Sequence, residues 1–199
     1  MTALAAVDLR ALHQELLARH GPQGWWWPGE EPFEIALGAV LVQRSRWEQA
    51  ALSIDALRAA GLLEPRALAA AEEDRVRELV RGSGLPRSKP RRVQALARWV
   101  RDRAAHAREL EDPPLRVELL GVEGIGEETA DAISLYCFSR PVFVCDEYAR
   151  RLFRERGMEV PASYRAFRRA ITPALEAAEL TAAELAELHG LIVEHGKSA

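Results

Sequence analysis

Apolar residues recur every three to four positions along most of this chain, the spacing that turns one stripe of a helix toward a core. Leu9, Leu12, Leu16 and Leu17 mark such a stripe within residues 4–20, and Gly21-Pro22 closes it. An aromatic loop follows, Gly24-Trp-Trp-Trp-Pro28, and Pro32 then stands where a helix can begin at no cost to its missing N–H. Residues 33–43 are almost wholly apolar, the pattern of a helix buried on most sides. A third helix is predicted over 47–60, stopped by Gly61, and shorter ones over 65–71 and 73–81. Beyond the Gly82-Ser-Gly84 loop a longer helix spans about 91–105, and Pro113-Pro114 starts another. Helices over 127–138, 146–156, 164–179 and 181–195 complete the chain. Alternating runs of β-branched residues are nearly absent, while Ala, Leu, Arg and Glu dominate, so the predicted fold is all-α.

A chain of 199 residues can bury a core in one domain or two small lobes. Its net charge of −3 argues by itself against a nucleic-acid partner, but the distribution is uneven. Between Arg75 and Arg108 basic residues far outnumber Glu78 and Asp102, and the segment 176–194 is acidic in return. One basic face on a mildly acidic molecule is compatible with DNA. The two cysteines, Cys137 and Cys145, lie among apolar neighbours and cannot make a disulfide framework or a four-cysteine metal site. No basic leader and no long apolar run is present, so a cytoplasmic monomer with no membrane role is expected.

The chemistry concentrates in two places. Gly124-Ile125-Gly126 bounds a turn that opens a helix, where backbone N–H groups can hold a phosphate and no Cβ obstructs its approach. Glu127 and Glu128 favour the same helix end electrostatically. About one helix later, Asp146 follows the apolar run Val142-Phe-Val-Cys145. An aspartate before a helix is most often a cap, and a cap also fixes where its carboxylate points.

The longer run Leu120-Gly-Val-Glu-Gly-Ile-Gly-Glu-Glu-Thr-Ala-Asp131, together with the interval to Asp146, resembles the endonuclease III (helix–hairpin–helix, Gly/Pro, Asp) superfamily of DNA base-excision glycosylases. Trp25-Trp-Trp-Pro28 and the apolar run 33–43 resemble that superfamily's 3-methyladenine DNA glycosylases more closely. Read without that context, three successive tryptophans would be a loop plugging a seam between lobes.

The resemblance implies Asp146 as the catalytic carboxylate. It implies Trp26, Trp27 and Trp47, with Trp25, as rings stacking on an extruded base. Gly124, Ile125, Gly126, Glu127 and Thr129 would meet the DNA strand at the hairpin. Gln43 would enter the gap left by the base, and Lys89, in Gly84-Leu-Pro-Arg-Ser-Lys89, would touch the DNA backbone. Arg44 and the prolines 86 and 90 depart from the family pattern. The carbonyls of Leu120, Val122 and Ile125 would hold a monovalent cation, K+ or Na+. Bifunctional relatives carry a lysine where this chain has Glu128, and glutamate cannot form a Schiff base. His189 and His195 read as packing or surface histidines, since no further metal ligand is suitably spaced. Four cysteines for an iron–sulfur cluster are lacking, and no organic cofactor is implied.

The resemblance also implies two helical lobes, 32–139 with six helices and the hairpin, and 1–31 with 140–199 carrying the tryptophan loop and Asp146. A groove between them would take the damaged nucleotide. The expected function is monofunctional hydrolysis of the N-glycosidic bond of an alkylated purine, such as 3-methyladenine, in duplex DNA. The alternatives are an endonuclease III-like glycosylase for oxidised pyrimidines and a non-catalytic helix–hairpin–helix DNA-binding protein.

Overall fold

The computed structural model describes residues 3–24, 27 and 29–198, with Ser198 described by its backbone alone. Among these residues the chain forms eleven α-helices and two short 3-10 turns, with no strand. In order they are α1 (Leu9–His20), α2 (Pro32–Leu41), α3 (Trp47–Ala59), α4 (Pro65–Ala70), α5 (Glu73–Val80), α6 (Lys89–Ala107), α7 (Asp112–Leu120), α8 (Glu127–Phe138), α9 (Glu147–Glu155), α10 (Tyr164–Ala178) and α11 (Ala182–Ser198). The fold is all-α. Of the helices, none is long and apolar enough to cross a membrane, among the described residues.

The first helix begins later than its apolar stripe predicts. Asp8 accepts a hydrogen bond from Ala11 N at 2.8 Å and caps α1, so Leu4–Ala6 is left as a separate 3-10 turn. Asp8 is a better cap than interior residue, and the break follows from that preference.

The helices fall into two compact units. In the unit Trp27–Phe138, α2 is the central element and packs against α3, α6 and α8. Seven consecutive residues of α2, Ile35 to Leu41, are buried, as its unbroken apolar run requires. Helix α6 lies along α4 and α5, and α7 pairs with α8 through the hairpin turn. Arg116 Nε donates to Asp131 Oδ1 at 2.7 Å across that pair, satisfying a carboxylate that has no exposed surface.

The other unit joins residues 1–26 to 139–199. Helix α1 packs on α10 and α11, and α11 packs on α9. Gly196 permits the last contact, since a Cβ there would sit 2.5 Å from the Tyr148 ring. Phe143, Phe153 and Phe167 stack through this core with centroid spacings of 6.1 and 6.0 Å. Trp27 belongs to the first unit, whereas the sequence reading placed the whole tryptophan loop with the terminal residues. The reason is packing: its ring lies against Trp47 and Tyr136.

Candidate active site and nucleic-acid interface

Asp146 sits at the entry to α9 in extended backbone, with φ −73° and ψ −177°. The apolar segment before it is wholly buried from Val142 to Cys145, which fixes the approach of the chain. Asp146 Oδ1 accepts from Ala149 N at 2.8 Å, so the capping role and the fixed carboxylate are one interaction. Asp146 Oδ2 faces His189 Nε2 at 3.4 Å, and both residues are buried. The Asp146 side chain keeps 12% of its surface, so the carboxylate is held but still reachable. The sequence reading had treated His189 as a packing residue. Only the fold brings it beside an aspartate 43 positions earlier.

His195 behaves as expected of a packing histidine. Its Nδ1 lies 3.2 Å from His20 Nε2, and its pKa is lowered by burial first, then by Arg19 and His20. Cys137 is held unreactive, because burial pushes its thiol up to about 12. Among the described residues, no group of three or more His, Cys, Asp or Glu side chains could hold a metal ion.

In the other unit the hairpin turn is built around Gly124, whose φ is +87°. A Cβ at this position would fall 2.3 Å from Arg92 Cγ, so glycine is needed for conformation and for space together. Gly126 is exposed and nothing stands within 4 Å of where its Cβ would be, leaving the start of α8 open to an approaching group. The opening N–H groups of any helix lack intrahelical acceptors, and here they follow the Gly126 opening directly. Ile125 is buried and its N–H already donates to Val122 O at 3.0 Å, so it shapes the turn and offers a strand neither its side chain nor its amide. Of the three carbonyls expected to hold a monovalent cation, Leu120, Val122 and Ile125, Val122 O accepts Ile125 N–H at 3.0 Å and keeps a second lone pair.

Gln43 is engaged at both ends of its amide. Its Nε2 donates to Gly124 O at 2.9 Å and to Thr129 Oγ1 at 3.0 Å, while Oε1 accepts from Arg92 at 2.9 Å. In this conformation Gln43 ties the loop after α2 to the hairpin. Thr129 is correspondingly buried and serves that bond rather than presenting itself to a strand. Glu127 is half-buried with Arg116 at 3.7 Å, and Glu128 is exposed on the first turn of α8.

Lys89 corrects the sequence reading outright. It has no exposed surface, and its Nζ donates to Leu41 O at 2.7 Å, Gln43 O at 3.1 Å and Ser83 O. An ammonium spent on three interior carbonyls cannot touch a DNA backbone. It caps the C-terminal end of α2 from a distance, where a cation is favoured.

The basic segment is likewise partly neutralised. Arg77 pairs with Glu73, Arg101 with Asp102, Arg103 with Glu118, and Arg81 with Glu78. Arg87, Arg91 and Arg98 are exposed and make no ion pair among the described residues.

Trp27 and Trp47 have ring centroids 4.8 Å apart, and Trp27 meets Tyr136 at 5.0 Å. Trp27 is 7% exposed and forms the inner ring; Trp47 and Tyr136 are half-buried and carry the accessible faces. Tyr136 was not singled out from the sequence. It lies eight residues past Glu128 on α8, where one tyrosine in an apolar helix gives no local signal. The positions expected of Trp25 and Trp26 lie outside the described residues.

With this geometry in hand, comparison with known proteins decides the family. Residues 37–172 match the model of the HhH-GPD superfamily base excision DNA repair proteins. The chain belongs to that superfamily. A protein of Methanocaldococcus jannaschii, provisionally named DNA repair glycosylase MJ1434, is 32% identical over 196 residues, covering 94% of this chain and 86% of its own. The solved structure of Helicobacter pylori 3-methyladenine DNA glycosylase (MagIII) bound to 1,N6-ethenoadenine superposes with a TM-score of 0.77 at 30% identity, covering 99% of this chain and 98% of that one. A trapped endonuclease III–DNA covalent intermediate superposes with a TM-score of 0.78 at 18% identity over 100% of this chain and 88% of that one, which shows the shared fold. As an HhH-GPD protein, the chain is a DNA glycosylase of base excision repair, and DNA is its partner.

Proposed function

We propose that this glycosylase hydrolyses the N-glycosidic bond of alkylated purines in duplex DNA, without strand cleavage. The observation that carries the reading is the Asp146 carboxylate, buried and fixed by the first turn of α9. Alkylation at purine N3 makes the base cationic. As the bond between C1′ and the purine nitrogen breaks, the electron pair leaves with the base, which departs neutral. The sugar is left as an oxocarbenium-like cation that an anionic neighbour stabilises. Asp146 supplies that charge and orients water, whose oxygen adds to C1′ while its proton passes to the carboxylate and on to solvent.

Specificity then rests on the rings. The faces of Trp47 and Tyr136, backed by Trp27, attract a cationic purine by about 0.5–2 kcal/mol per contact. Trp25 and Trp26 are further candidates, from the family resemblance, for contact with the base. The Helicobacter pylori relative, with its bound ethenoadenine, supports a purine carrying an added alkyl bridge or group.

The hairpin amides at Gly124, Gly126 and Glu127 grip a backbone phosphate. A monovalent cation on the carbonyls of Leu120, Val122 and Ile125 would add positive charge at that point. Gln43 enters the gap left by the extruded base by exchanging its bonds to Gly124, Thr129 and Arg92 for bonds to the unpaired base opposite. That exchange offsets part of the few kcal/mol of unstacking.

Mass spectrometry of bases freed from methylated DNA, beside a duplex carrying thymine glycol, tests the reading. Release of 3-methyladenine with intact thymine glycol is expected. The reverse pattern would assign the chain to oxidised pyrimidines, and no release from either would leave a DNA-binding protein without turnover.

A further inference from the structure

We propose that His189 is a positioning residue for Asp146, holding the second carboxylate oxygen so that the anion presents one orientation to the sugar. The inference rests on the assignment of Asp146 as the catalytic carboxylate and adds a residue to that site.

His189 occupies the buried stripe of α11, between Leu185, Leu188 and Ile192, whose exposures are 2%, 0% and 1%. An imidazole in such a stripe costs stability unless its polar atoms are satisfied. Asp146 Oδ2, 3.4 Å away on the packed end of α9, gives Nε2 a partner there. The two oxygens of Asp146 therefore take donors from different directions: Ala149 N on its own helix holds Oδ1, and His189 Nε2 on another helix holds Oδ2. The cap holds Oδ1, and the remaining freedom is the placement of Oδ2 about that held point, since the last torsion of aspartate is broad. A second donor removes that freedom. The distance of 3.4 Å is long for a hydrogen bond, and such contacts commonly tighten when substrate excludes water. Nε2 donates in the tautomer that carries its proton on that nitrogen.

The test compares H189L, H189Q, D146N and the double variant D146N/H189L. Single-turnover base release from methylated duplex DNA is measured beside affinity for a duplex containing a stable abasic analogue. The H189L rate should fall by about tenfold while affinity and melting temperature hold. H189Q, which keeps an N–H near the position of Nε2, should restore most of the rate. In the D146N background H189L should change the residual rate little, because the group it positions is already gone. Wild-type rates in H189L, or an equal loss in the D146N background, would overturn the proposal. So would a rate in H189Q as low as in H189L. Should H189L fail to fold, the H189Q rate and the D146N/H189Q double variant carry the same comparison. A wild-type rate in D146N itself is a different outcome, because it removes the catalytic assignment on which the inference stands.

Discussion

Lys89 Nζ and the carbonyl of Leu41 are 2.7 Å apart in the interior, with the lysine fully buried. Three donors meet three carbonyls, so the charged ammonium is the matched form. Replacing it in K89M leaves those carbonyls without their donor and should cost about 3 kcal/mol, read from urea denaturation. The pH dependence has a definite sign. Burial, then the charge of Arg92, pulls the Lys89 pKa from 10.5 to about 8. The unfolded chain therefore binds more protons than the folded one between these values, and stability from this group rises with pH across that window. Below about pH 8 both states hold the proton and the contribution is flat. Wild-type stability referred to K89M should climb from pH 8 toward 10; a flat or falling difference would contradict the burial argument.

Glu128 is exposed on the first turn of α8, at the position where the family resemblance implies a lysine in bifunctional enzymes. Without that amine no Schiff base forms at the position, and borohydride should trap no covalent protein–DNA adduct with the wild type. E128K should give a trapped band on a denaturing gel with the same damaged duplex. A wild-type adduct in high yield would show that another amine reaches the sugar.

The aromatic cluster separates structural from recognition roles. Loss of an accessible face in W47A or Y136A should lower kcat/KM for a cationic purine by about tenfold, in the range of one cation–π contact, while the protein stays folded. W27A removes the buried ring and should instead destabilise by about 3–5 kcal/mol. Activity loss in W27A without loss of stability would reverse this division of labour.

Much of this molecule was legible before its structure. The buried helix over 32–41 follows from an unbroken apolar run, and α8 begins and ends where Gly126 and the polar residues after Phe138 set it. The Asp146 cap was legible because it is a local signal, its bond reaching only three positions along the chain to Ala149 N. Lys89 was misread because two of its three partners, Leu41 and Gln43, lie more than forty residues away and no local pattern marks an interior lysine. The contacts of His189 and Tyr136 were hidden for the same reason: each is made with a neighbour on another helix or loop. Periodicity reports which face is buried and is silent about what that face meets. Gln43 shows the limit from the other side, since its place in the loop was readable and its three bonds were not.

The most direct measurement is single-turnover base release from methylated duplex DNA by wild type and D146N. Asparagine caps a helix about as well as aspartate, so the substitution removes the charge and leaves α9 in place. Release should fall by about a thousandfold, with melting temperature and DNA affinity close to wild type. Undiminished release of alkylated purines by D146N would contradict the role given to this carboxylate.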